Sequence, residues 1–127
     1  MATDRRAQGR RSRRRGADGE RELANLLTEH GHPCRRGQQH RGGGDSPDVV
    51  GLDGIHIECK RVEALNVERA MQQSRRDAEG TDDLPVVMHR RNREVWKVTM
   101  DLEDWLPLYE AWRAMMGDEE PEPRLHA

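Results

Sequence analysis

The chain reads as an α/β sandwich, a mixed sheet flanked by helices in the order helix, three strands, helix, two strands, helix (α-β-β-β-α-β-β-α). Three observations predict it. Leu23, Leu26, Leu27 and His30 recur at helical spacing, as do Val67, Ala70, Met71, Ser74 and Ala78. Between them, Ser46 to Lys60 carries alternating apolar residues on either side of a glycine-containing turn, the pattern of a strand, a turn and a strand. Beyond the second helix, Leu84–His89 and Glu94–Val98 read as two more strands, with Arg90-Arg91-Asn92-Arg93 as their turn. Helices interleaved with strands bury their apolar stripes on the faces of a sheet.

At 127 residues the chain is one domain. Hydrophobic residues make up 33% and charged residues 36%, and Phe is absent, so the core is small and part of the chain lies outside it. The two cysteines are distant and no Cys-x-x-Cys occurs, which argues against a disulfide framework. No apolar run reaches spanning length, and the basic start is not followed by an apolar segment, so a cytoplasmic protein is expected. The formal charge of −2 conceals an asymmetry. Residues 1–15 hold seven Arg and one Asp, a net of +6, while residues 101–127 hold eight acids and two Arg, a net of −6. A basic end points to a polyanionic partner.

Residues 1–15 show no periodicity and are expected to be a disordered basic arm. Such an arm holds phosphates without reading sequence, or serves only as a solubilising tail. The first helix is expected from Asp18 to His30, with Asp18 as N-cap and Gly31 as stop. Glu20 falls on its inward side, where an acid needs a cation or a donor; a first-turn acid favoured by the helix dipole is the plainer reading.

A first strand is expected over His32–Gly37, at an edge because Pro33 leads it. His30, His32 and Cys34 alternate, but a fourth ligand at zinc spacing is missing. Gln38–Asp45, with three consecutive glycines, is a loop.

The hairpin that follows carries the chemistry. A two-residue turn at Asp53-Gly54 would put Asp48 opposite Cys59. A three-residue turn, Leu52-Asp53-Gly54, shifts the register by one and puts Asp48 opposite Glu58. The second fits, because that loop type ends in a left-handed residue and Gly54 stands there. Lys60, two residues past Glu58, shares its face, and Ile55, Ile57 and Cys59 point into a core. Two acids and a lysine then face one point, as a cation site or as a solvated face with an incidental ion pair. Only two of the 22 basic residues are Lys, and one of them stands here.

Pro47-Asp48, followed ten residues on by Glu58-Cys59-Lys60, resembles the PD-(D/E)xK nuclease signature. From Gly16 to about Thr99 the chain is similar to small phage and prophage endonucleases of that superfamily, and through them to archaeal-type Holliday junction resolvases. The resemblance implies a restriction-endonuclease-like core and hydrolysis of DNA phosphodiesters in a bacterial or phage-infected cell, leaving a 5′-phosphate. It implies a Mg²⁺ or Mn²⁺ ion on Asp48, Glu58 and the backbone carbonyl of Cys59, with Lys60 catalytic. Gly16-x-x-x-Glu20 matches a first-helix pattern whose glutamate lies near the metal, so Glu20 joins the candidate catalytic and metal residues. A glutamine of the second helix faces the site in that family, and at helical spacing Gln73 fits better than Gln72. Arg11, Arg13, Arg14 and Arg15 of the arm, Arg41 of the loop and Arg61 beside Lys60 are the candidate phosphate contacts.

The second helix is expected over Asn66–Ala78. The last, Asp101–Met116, carries Trp105, Leu106, Tyr109, Trp112 and Met116 on one side, a stripe that caps the core or forms a dimer interface. Pro107 is expected to break or kink it. The resulting division is arm 1–15, nuclease domain 16–116 and a disordered acidic tail 117–127. A homodimer acting on branched DNA is one reading; cleavage of other DNA and metal-independent DNA binding are the others.

Overall fold

The computed structural model describes residues 2–37 and 46–117, with side chains at 9, 10, 14–37 and 46–117. Helix α1 (Ala2–Glu29) precedes strands β1 (Arg35–Arg36), β2 (Val49–Val50) and β3 (Ile55–Arg61). Helix α2 (Val67–Ala78), strands β4 (Leu84–Arg90) and β5 (Lys97–Met100) and helix α3 (Leu102–Met116) complete the order. The strands form one five-stranded sheet in chain order. The β3–β4 pair is parallel and the others are antiparallel, so the sheet is mixed and α2 is the crossover that a parallel pair needs.

Each face of the sheet carries its own core. On one, Leu23 and Ala24 of α1 pack with Val49, Ile57, Cys59, Val86 and Met88. On the other, Ala70 and Met71 of α2 pack on Val87. The alternation of β3 divides the two: Ile57 and Cys59 lie under α1, and their neighbours His56 and Glu58 are turned the other way. Asn66 caps α2 by accepting the Arg69 N–H at 3.0 Å. Ser74, fully buried, donates to the Val86 carbonyl at 3.0 Å and so ties α2 to β4.

Several boundaries differ from the expected ones. Helix α1 starts at Ala2 rather than Asp18, because the Arg-rich stretch before it, with three alanines, holds good helix formers and no proline, so an existing helix extends through it. Its buried stripe is Glu20, Leu23 and Ala24, with Leu27 partly covered, whereas His30 is exposed. Leu26 is half-buried like Leu27. Strand β1 is two residues long, not six. Strand β5 begins at Lys97 rather than Glu94, since Arg93 takes a positive φ of 62° and Glu94 is drawn into the turn by Arg91 and Lys97. Pro107 lies inside an uninterrupted α3. No residue of α3 is buried, so its stripe does not cap the core. No described helix is long and apolar enough to cross a membrane.

Candidate active site

The site is built at the β2–β3 hairpin. Gly54 has φ +85°, and the Ile55 N–H donates to the Leu52 carbonyl at 3.1 Å, which closes the three-residue turn. Val49 then faces Ile57, and one step further out the same register brings Asp48 level with Glu58. Strand β2 is too short to pair the rest of β3. Asp48 takes over: its N–H donates to the Ile57 carbonyl at 2.8 Å, and its Oδ2 accepts the Cys59 N–H at 2.8 Å. A backbone donor that a longer β2 would have satisfied therefore fixes the carboxylate.

Both acids are buried, Asp48 at 8% and Glu58 at 3% exposure. Lys60 Nζ stands 3.4 Å from Glu58 Oε1. Burial, and then the negative charge of Asp48, push the Glu58 carboxyl up to about 7, while Lys60 pulls it down. The pair therefore holds a proton near neutrality that a cation between the carboxylates would replace.

Glu20 reaches the same place from α1. Gly19 makes this possible: a Cβ there would lie 2.9 Å from the Cβ of Arg61, so the helix crosses the end of β3 in contact with it. The Glu20 carboxylate is buried and accepts from Arg36 Nε at 2.7 Å. Burial raises its pKa first of all, Asp48 adds to that, and Arg36 opposes it. Arg36 went unnoticed in the sequence. It is one of many arginines, and only the pairing of β1 with β2, Arg36 opposite Val49, sets it over α1.

Glu20, Asp48, Glu58, Cys59, Lys60 and Gln73 line one open cavity of about 550 Å³, together with Arg15, Arg61, Glu63 and Asn92. Gln72 does not line it. The Asn92 N–H donates to Glu63 Oε1 at 3.0 Å, which holds the β4–β5 turn at the rim. A larger groove of about 740 Å³ runs between α1 and the β4–β5 connection, past Leu26, Val95 and Trp96. Most of its charges are paired, Asp18 with Arg21, Glu22 with Arg90 and Glu94 with Arg91, and it holds no lysine and no pair of buried acids, so size does not locate the chemistry.

The candidate phosphate contacts divide. Arg14 and Arg15 are exposed on α1, and Arg15 borders the cavity. Arg11 and Arg13 belong to the backbone of α1, with side chains outside the described ones, and Arg41 lies outside the described residues. Arg61 pairs with Glu22 at 3.0 Å, and Arg90 pairs with the same glutamate at 2.9 Å. Arg75 is held by Asp101 at 2.7 Å.

Among the described residues, no three His, Cys, Asp or Glu side chains converge as a metal cluster. The donor set is smaller: two carboxylates and a strand carbonyl. That suits a hard ion that keeps most of its waters. Glu20, engaged by Arg36, lines the same cavity.

The phage PDDEXK endonuclease family model matches residues 11–119. The solved structure of Hjc from Archaeoglobus fulgidus, a Holliday junction resolvase of an archaeal hyperthermophile, is similar in fold. The two share 24% identity at a TM-score of 0.52, over 68% of this chain and 72% of Hjc. No curated protein matches the chain.

Proposed function

Given that the chain belongs to the phage PDDEXK endonuclease family, we propose that it is a divalent-metal-dependent DNA endonuclease acting on branched DNA through Asp48, Glu58 and Lys60. The observation that carries this is the pair of buried carboxylates with a lysine 3.4 Å away, opening on a cavity bordered by Arg15. Asp48, Glu58 and the Cys59 carbonyl would hold the ion. Bound Mg²⁺ or Mn²⁺ neutralises phosphate charge and lowers the pKa of a water.

The chain's own groups do the rest. Asp48 is fixed by the Cys59 N–H, so little ordering is left for it to undergo on binding. Glu58 gives up the proton that burial makes it hold. Lys60, one-third exposed, is placed to orient the attacking water and to meet the charge that grows on the phosphoryl oxygens. Glu20, steadied by Arg36, and Gln73 border the same point and position water or phosphate there. Arg14 and Arg15 carry the backbone of the DNA. No base-reading motif is present, so the substrate is recognised by shape. Symmetric cutting of a four-way junction takes two sites, which favours a homodimer.

The test is cleavage of a labelled four-way junction beside linear duplex of matched length, with Mg²⁺ or EDTA. The parent should cut the junction in preference, and only with the metal. Asp48→Asn and Lys60→Ala should each lower the rate about a thousandfold while binding DNA as before. Cleavage in EDTA, or a Lys60→Ala variant as fast as the parent, would refute the mechanism. Equal cutting of both substrates would leave the nuclease and remove the junction preference.

A further inference from the structure

The cavity that holds Asp48 and Glu58 does not end at Lys60. A smaller open pocket of about 250 Å³ continues from it along the first turns of α2. The two share Lys60, Val62 and Gln73, and Leu65, Asn66, Arg69 and Ala70 complete the second. Charge sets this pocket apart. The larger cavity is lined by Glu20, Asp48, Glu58 and Glu63. The groove past Trp96 holds four acids, and another beside the β4–β5 turn holds Glu63 and Glu94. Among the described residues, the pocket at α2 is lined by no acid, yet two cations, Lys60 and Arg69, enter it. Glu68, next to Arg69 in the chain, is drawn off by Arg75 at 3.4 Å. Arg69 itself is exposed and has no ion pair among the described residues.

Helix geometry explains the placement. Asn66, Arg69 and Gln73 follow one another at i, i+3 and i+7, one flank of α2 at about 100° per residue. Ala70, Met71, Ser74 and Ala78 are the buried stripe beside it. Asn66 Oδ1 accepts the Arg69 N–H at 3.0 Å, which fixes the backbone from which the Arg69 side chain leaves. The flank thus brings a guanidinium and a carboxamide to the pocket that Lys60 enters from β3. A lone arginine on a helix surface is ordinarily only solvated. Here the second cation, the lack of an acid and the continuity with the paired carboxylates favour an anion. The floor is apolar: Leu65 packs on the core cluster of Ala70, and Val62 is 42% exposed. Cations beside an apolar wall attract an anion with less screening than on an open surface. A nucleic-acid strand offers the matching combination, a charged phosphate beside a carbon-rich sugar.

We propose that this pocket holds the phosphodiester next to the scissile one in the substrate strand, with Arg69 as its main contact. This rests on the preceding reading for the identity of the ligand and adds a subsite to it. The planar fork of an arginine meets two phosphate oxygens at once. Gripping one phosphate beside the reacting one sets the register of the strand over Asp48 and Glu58, without reading a base.

The experiment is a binding scan with the full chain in EDTA, which leaves the DNA uncut. A four-way junction carries one methylphosphonate, neutral where a phosphate is charged, moved along one strand a position at a time. The parent should lose about tenfold in affinity at the phosphate adjacent to the bond that it cuts in Mg²⁺. Arg69→Ala should bind the unmodified junction about tenfold more weakly, with a salt slope lower by about 0.9. It should lose nothing further at that one position, because the contact is already gone. Arg69→Lys, which keeps the charge, should keep the salt slope. Arg76→Ala, an exposed arginine two turns on that lines none of these cavities, should leave the scan as in the parent. An Arg69→Ala variant that binds like the parent, or that still loses affinity at the adjacent phosphate as the parent does, overturns the proposal. A parent in which Arg69 governs one phosphate but which cuts no DNA would sink the nuclease reading and leave the pocket as a phosphate site.

Discussion

The β2–β3 hairpin and α3 break the rule of apolar inside and charged outside in opposite directions. Over residues 48–60 two acids are buried beside a lysine; over residues 102–116 two tryptophans and a tyrosine are exposed. Neither arrangement is stable for its own sake. Burying a carboxylate costs more than a lone lysine returns, and an aromatic face in water forfeits its hydrophobic gain. The two regions differ in what they expose: the first keeps its charges out of water, the second leaves its apolar side chains in it. The rest of the sheet is conventional. Val49, Ile57 and Val87 are fully buried and His56 nearly so, and the conventional part is what folds the chain.

The comparison is broken most severely by truncating the conventional part. Ile57→Ala, beneath α1, should cost about 3 kcal/mol, whereas Trp105→Ala should change the stability of the monomer by less than about 0.5 kcal/mol. Urea titration at a concentration low enough to keep the chain monomeric compares them. Equal losses would mean that α3 is part of the core.

A smaller effect sharpens the hairpin side. The Glu58 carboxyl titrates at about 7 in the folded chain against 4.5 ordinarily. Between these values the folded state keeps a proton that the unfolded chain has released. The stability of the metal-free protein therefore falls as pH rises through that window, by roughly 3 kcal/mol. Glu58→Gln should flatten the fall and abolish cleavage together. Melting curves in EDTA from pH 4.5 to 8 decide it; a parent whose stability does not fall across that range would show that the pair carries no shared proton. His56 works in the opposite sense. Burial lowers its pKa, so its contribution is lost as pH falls below 6.5; the two overlap in pH with opposite signs, and the difference between parent and Glu58→Gln isolates the carboxyl.

The smallest expected effect on the fold, though not on DNA, comes from the arm. Among the described side chains of α1 the first buried position is Gly19, so deleting residues 1–15 should leave the melting temperature nearly unchanged. Affinity for all DNA should drop together, and the dependence of log K on log salt should flatten by about 0.9 for each phosphate that the arm had neutralised. An unchanged salt slope would remove Arg14 and Arg15 from the interface.

The sequence by itself determined what depends on near neighbours. Gly54 at the end of a three-residue turn set the register, and the register set Asp48 against Glu58, because alternation along a strand leaves no other choice. The mixed α/β class and the face of α2 that carries Gln73 to the cavity follow from spacing in the same way. Tertiary structure alone decided what depends on contacts distant in sequence. That Arg36 holds Glu20 follows from β1 lying beside β2. That Glu22 ties Arg61 to Arg90 follows from β3 and β4 running parallel beneath α1. The exposure of the α3 stripe is of this second kind too. Periodicity shows that a helix has an apolar side, but only the assembled sheet, with α1 and α2 already on its two faces, shows that the described residues leave that side uncovered.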